Sequence, residues 1–167
     1  MNTPKRIWWA RAGKLCALER PGGGGRSHRP ERRDQDIEYL RSNGVRVVVS
    51  LMTTRHNLGH YEDAGLEARH FPLPSWEAAA DGLDDLMRLL RRELRRRGAV
   101  AIHGNRYTDL PAAVCAAYLA DAHGANPADA LVEAEAAGLV ITPDAYALVQ
   151  PRSAMAAATS SGRSVIT

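Results

Sequence analysis

Val100-Ala101-Ile102-His103-Gly104-Asn105-Arg106-Tyr107-Thr108-Asp109-Leu110-Pro111 is the stretch whose reading decides the fold. Its apolar front half, Ala99–Ile102, follows Gly98 and reads as a strand. Its polar middle reads as a loop. From Leu110 to His123 the pattern is helical, and Gly124 stops it. A strand that hands a polar loop to a helix N-terminus is how α/β sheets build ligand sites beyond the carboxyl ends of their strands.

The segments on either side repeat the alternation. Trp8, Trp9 and then Lys14–Leu18 read as short opening strands. Pro21-Gly22-Gly23-Gly24-Gly25 reads as a flexible break. It lacks the strand, spacing and Lys-Ser/Thr of a nucleotide-binding loop. Arg33–Asn43 reads as a helix ended by Gly44, and Val45–Leu51 as a β-branched strand buried on both faces. Leu58–Ala64 predicts a short helix, Leu66–Phe71 a strand, and Asp81–Arg97 a long amphipathic helix. Pro127–Ala137 and Pro143–Val149 predict two closing helices, each with Pro in its first turn. The sum is an α/β fold, a mainly parallel central sheet flanked by helices.

At 167 residues, one domain over 1–150 is expected, with 151–167 as a flexible Ser/Ala/Gly-rich tail. Two cysteines, Cys16 and Cys115, are too few for a disulfide framework and suit a reducing cytoplasm. No apolar run approaches the roughly 20 residues of a membrane span, and no signal peptide or membrane association is expected. The net charge is +3. Arginines concentrate at Arg26–Arg33 and at Arg88, Arg91, Arg92, Arg95, Arg96 and Arg97. The second group reads as the solvated face of a helix whose buried stripe is Leu83, Leu86, Met87, Leu90 and Leu94. Stacking aromatics do not accompany it, so nucleic-acid binding is not expected. His56 and His60, four apart, can share a helix face, but no third metal ligand is evident and no metal or cofactor is expected.

The strand–loop–helix segment resembles the phosphate-binding loop of the cysteine-dependent dual-specificity and tyrosine phosphatases, whose motif is H-C-x-x-G-x-x-R-[ST]. The resemblance extends over residues 7–149. Gly13-Lys14-Leu15 is similar to the family's opening strand, Gly44–Leu51 to its G-I-x-x-V-V-S-L strand, and Gly65–Pro74 to the strand that leads to its general-acid loop. Aligned on His103, the nucleophilic Cys falls on Gly104, the loop Gly on Tyr107, the Arg on Leu110 and the Ser/Thr on Pro111. The general-acid Asp falls on Ser75, followed by Trp76 and Glu77, which can swing in as a substitute acid.

The family reaction needs a thiolate to attack, an Arg to clamp the equatorial oxygens, and an acid to protonate the leaving group. Gly104, Leu110 and Ser75 supply none of these. Pro111 also deletes a backbone donor, and Asp109, as an N-cap, would place a carboxylate at the positive helix end, so weak or absent phosphate binding is expected. The resemblance therefore implies a degenerate member. Gly104, Asn105, Arg106, Tyr107, Thr108, Asp109, Leu110, Ser75 and Trp76 are the expected ligand-binding set. Two functions stay open. One is a pseudophosphatase that binds a small-molecule ligand or protein partner. The other is an enzyme with new chemistry, a proton transfer, cyclisation or elimination, with Tyr107, Asp109 and His103 as candidate catalytic groups. The oligomeric state is left open.

Overall fold

The structure is a computed structural model and describes residues 3–152. Five strands form one sheet: β1 (Ile7–Arg11), β2 (Leu15–Leu18), β3 (Val45–Ser50), β4 (Glu67–His70) and β5 (Ala99–His103). Their order is β1-β2-β5-β3-β4. β1 pairs antiparallel with β2, and the other three pairings are parallel, so the sheet is mixed but mainly parallel.

β2, β3 and β5 are apolar on both faces because both faces are covered. Cys16, Leu18, Val48, Ala99 and Ala101 face a layer made by α1 (Pro30–Ser42) and α2 (Leu58–Asp63), through Ile37, Leu40, Leu58 and Tyr61. Leu15, Ala17, Val47, Val49, Val100 and Ile102 face the opposite layer. That layer holds α3 (Trp76–Leu94), α4 (Asp109–His123), α5 (Pro127–Ala136) and a last helix, α6, over residues 143–152. Every residue of α4 from Pro111 to Leu119 is buried, since it lies between the sheet and α5. A helix with no polar face belongs in an interior.

Three expectations need correction. The long helix begins at Trp76, not Asp81, because Ser75 caps it: its Oγ accepts from Ala78 N at 3.0 Å. The closing helix continues through Pro151 and Arg152, and Arg152 bridges Asp84 at 2.8 Å and Asp121 at 3.1 Å. The remainder of the expected tail lies outside the described residues. The Gly22–Gly25 segment is no flexible break: Pro21 to Gly24 are buried and packed against the β5–α4 loop.

The arginine-rich end of α3 carries acidic partners. Arg88 pairs with Asp85, and Arg91 with Asp121 at 3.7 Å. Glu93 is buried and receives Arg46 at 3.0 Å and Arg69 at 3.2 Å, tying α3 to β3 and β4. Glu93→Ala leaves two partly buried guanidiniums short of a partner, and it should cost about 2 kcal/mol in urea unfolding. An unchanged midpoint would mean that Glu67 alone suffices for both arginines.

Candidate functional site

β5 ends at His103, and the chain turns through residues 104–108 into α4. His103 is fully buried beneath this loop. Its Nδ1 lies 2.6 Å from Gly104 O, a pure acceptor, so Nδ1 carries the proton. Nε2 then accepts from the Tyr61 hydroxyl at 2.8 Å. Burial lowers its pKa to about 4, outweighing the Gly104 carbonyl, which acts in the opposite direction. The imidazole is thus a neutral strut between α2 and the loop.

A buried polar band supports the loop from the other side. Arg20 donates to Asn105 Oδ1 at 3.4 Å and also bonds His56. Asn105 Oδ1 accepts from Gly25 N as well, at 3.3 Å. Gly24 presses against the loop so closely that a Cβ there would lie 2.4 Å from Asn105 O and 2.5 Å from Arg106 Cα. Gly22 N donates to the buried Asp36 at 2.9 Å, and Asn57 Nδ2 to Pro21 O at 3.2 Å. The glycine run is therefore the brace of the loop, which its composition alone did not reveal.

Above the loop lies a cleft of about 580 Å³. Its walls are Leu51, Met52, Thr53 and Thr54 after β3; Leu73, Pro74, Ser75 and Trp76 at the start of α3; and Gly104 to Tyr107, Asp109 and Leu110. Thr142 and Asp144 close it from the α5–α6 side. Eight of the nine expected ligand-binding residues thus meet at one cleft. Thr108 does not line it: its hydroxyl accepts from Val140 N at 2.9 Å and turns toward Val140 O. The β3 and α6 segments were missed because they approach only through the tertiary fold.

Asp109 is buried, and its place differs slightly from the expectation. Thr108 is the N-cap residue, without a side-chain cap bond, and Asp109 is the first helical residue. Its carboxylate nevertheless occupies the helix end: Oδ1 accepts from Leu110 N at 2.9 Å, and Oδ2 from the Thr142 hydroxyl at 2.6 Å. Tyr107 is exposed at the rim, with the Arg106 guanidinium 5.7 Å from its ring centre. Glu77 is exposed on α3 and is not among the lining residues, so it is not presented as a substitute acid. His103 does not line the cleft either.

His56 and His60 do not share a helix face. Asn57 adopts a left-handed conformation (φ 74°) that starts α2 after His56. His56 is engaged by Arg20, and its ring stacks edge-on with His28, 5.0 Å between centres. Among the described residues no group of three or more His, Cys, Asp or Glu side chains is placed to hold a metal ion. Nor is any helix among them long and apolar enough to cross a membrane.

A family model described as "Polymorphic toxin system, DSP-PTPase phosphatase" matches residues 22–125, from the glycine run through the loop to the end of α4. Solved phosphatase structures share the fold. Human DUSP28 is 18% identical at a TM-score of 0.68, covering 91% of this chain and 95% of its own. Pseudomonas aeruginosa TpbA is 18% identical at 0.66, covering 86% of each chain. PTPMT1 bound to PI(5)P is 16% identical at 0.67, covering 92% and 98%. Comparison with curated proteins gives no match.

Proposed function

The chain belongs to the DSP-PTPase phosphatase family of polymorphic toxin systems, and we propose that it binds a small ligand in its cleft without hydrolysing phosphate esters. The observation that carries this reading is Gly104. It stands directly after the buried His103, where the phosphatase motif has its nucleophile, and offers no atom that can attack. Backbone geometry does not demand glycine there. A Cβ would meet Tyr107 O at 3.4 Å and Pro111 Cγ at 3.6 Å, ordinary contact distances.

The surroundings support the same reading. Leu110 lines the cleft where the motif's Arg would clamp a phosphoryl group. Ser75, at the general-acid position, is engaged as the cap of α3. The Asp109 carboxylate takes the Leu110 amide and sets a negative charge at the helix end that would otherwise attract an anion. What is left is a cleft walled by Leu51, Met52, Leu73, Trp76 and Leu110 with a few fixed polar groups, suited to a mainly apolar, unphosphorylated molecule. In the toxin systems that name the family, this chain would act as a binding module.

A second reading keeps a specific observation. Asp109, Asp144 and Tyr107 all face the cleft, so proton transfer on the bound molecule is chemically available. Thermal stabilisation against matched phosphorylated and unphosphorylated metabolites tests both readings. A ligand at 100 times its Kd adds about 2.7 kcal/mol of stability. Unphosphorylated compounds should stabilise the protein, and Trp76→Ala should abolish the effect. Slow consumption of such a ligand, lost in Asp109→Asn, would favour the second reading. Stabilisation by phosphate monoesters alone, or by nothing in the panel, would contradict small-ligand binding of this kind.

A further inference from the structure

We propose that a second, basic cavity on the other side of the loop binds a small oligophosphate, a molecule carrying two or more adjacent phosphoryl groups. This cavity, about 410 Å³, is bounded by Lys5, Arg6, Arg29, Arg32 and Arg106, with Glu19 as its single carboxylate. Gly24 and Ser27 complete the wall. Arg106 borders both this cavity and the cleft.

The charge balance at this place is one-sided. In the other arginine cluster, on α3 and just after it, Arg92, Arg95 and Arg97 form no ion pair among the described residues, whereas Arg88, Arg91 and Arg96 each have an acidic partner. Around the basic cavity only Arg32 does, with Glu19 and Asp36 both at 3.6 Å. Lys5, Arg6, Arg29 and Arg106 form no ion pair among the described residues. These four come from three separate parts of the chain: the segment before β1, the start of α1, and the β5–α4 loop. Like charges gathered in a recess repel one another and focus a positive potential into it. A multiply charged anion removes that repulsion, and guanidiniums are the groups that bind phosphoryl oxygens in pairs.

Two further features favour a compact oligophosphate over a nucleic-acid strand. The recess holds about 410 Å³, room for a small molecule. Its lining contains no aromatic ring on which a base could stack. The two sites share Arg106 alone: Lys5, Arg6, Arg29 and Arg32 line the basic cavity and not the cleft.

The test is calorimetric titration of the pure protein with inorganic pyrophosphate, inorganic phosphate and a short homopolymeric single-stranded DNA. It is repeated with Arg6→Gln/Arg29→Gln, with Arg106→Gln, and with Arg88→Gln and Trp76→Ala as controls. Arg6 and Arg29 are exposed, so the double variant should keep the wild-type melting midpoint. Pyrophosphate should bind with one-to-one stoichiometry, more tightly than phosphate, and weaken as salt is raised. The double variant should lose at least tenfold in affinity, Arg106→Gln should also weaken binding, and both controls should retain it. Equal binding by wild type and double variant would overturn the proposal. So would loss of binding in Trp76→Ala alone, or tighter binding of the DNA strand than of pyrophosphate.

Discussion

Gly24→Ala should be among the most damaging single-methyl additions in this protein, lowering unfolding stability by about 3 kcal/mol. Gly24 has an ordinary extended backbone, φ −95° and ψ 160°, so alanine is not strained there by its own conformation. The cost comes from the neighbours. The added Cβ would stand 2.4 Å from Asn105 O, 2.5 Å from Arg106 Cα and 2.8 Å from Arg106 N. All three are backbone atoms, and no side-chain rotation relieves the overlap. Either the glycine run or the β5–α4 loop must move, and with it the Gly25–Asn105 hydrogen bond and the Arg20 contact. Gly59→Ala is the contrast. Gly59 lies in the first turn of α2 with nothing within 4 Å of a new Cβ, so that variant should be neutral or slightly stabilising. Urea unfolding of the pair measures the difference. Equal midpoints would mean that the seam between the glycine run and the loop is looser than described.

Stability should fall on mild acidification, and His103 should account for much of the loss. In the fold its pKa is lowered to about 4 by burial, against 6.5 for a free imidazole. The unfolded chain therefore takes up the proton first. The stabilisation is complete above pH 6.5, declines as the pH falls, and is exhausted near pH 4. A displacement of this size corresponds to about 3 kcal/mol. His28 and His56, also lowered chiefly by burial, change in the same direction and add to the slope. Urea midpoints between pH 8 and pH 4 should therefore drop more steeply in the wild type than in His103→Asn, whatever that variant's starting stability. Parallel curves would show that the buried imidazole takes up its proton without disturbing the Tyr61 and Gly104 contacts.

The fold was legible where hydrophobic pattern and end signals agreed. Val45–Leu51 reads as a strand buried on both faces, and β3 has apolar layers above and below it. Gly124 adopts a left-handed conformation (φ 66°) as the C-cap of α4. The helical pattern places the start of α3 at Asp81 because Ser75 is read as the occupant of the general-acid position and as a ligand-binding residue. Its other property, a hydroxyl able to cap a helix, decides its place in the structure. The glycine run was misjudged for a different reason. Composition states how freely such a segment can move, but only the fold reveals that Gly24 packs against Asn105 and Arg106.

The cleft was legible in part for the same reasons. Residues contiguous with the loop follow from the strand–loop–helix pattern, and the Ser75–Trp76 pair before α3 is joined to them by the resemblance to the phosphatase family's general-acid loop. Thr142, Asp144 and the Leu51–Thr54 segment reach the cleft through long-range packing that no local pattern encodes. His103 was a fair candidate from its place at the strand end. Its burial and its two hydrogen bonds, to Gly104 O and from the Tyr61 hydroxyl, make it a support for the loop.

The proposal that the loop carries no phosphatase chemistry is tested most directly by aryl phosphate hydrolysis. Pure protein and Gly104→Cys should be assayed side by side with p-nitrophenyl phosphate. Wild type should release no product above buffer alone. Gly104→Cys should fold, since a Cβ fits, and should gain little, because Leu110 provides no guanidinium to hold the phosphoryl oxygens. Turnover by the wild-type protein that disappears in Arg106→Ala or Asp109→Asn would contradict the account and assign hydrolysis to the cleft.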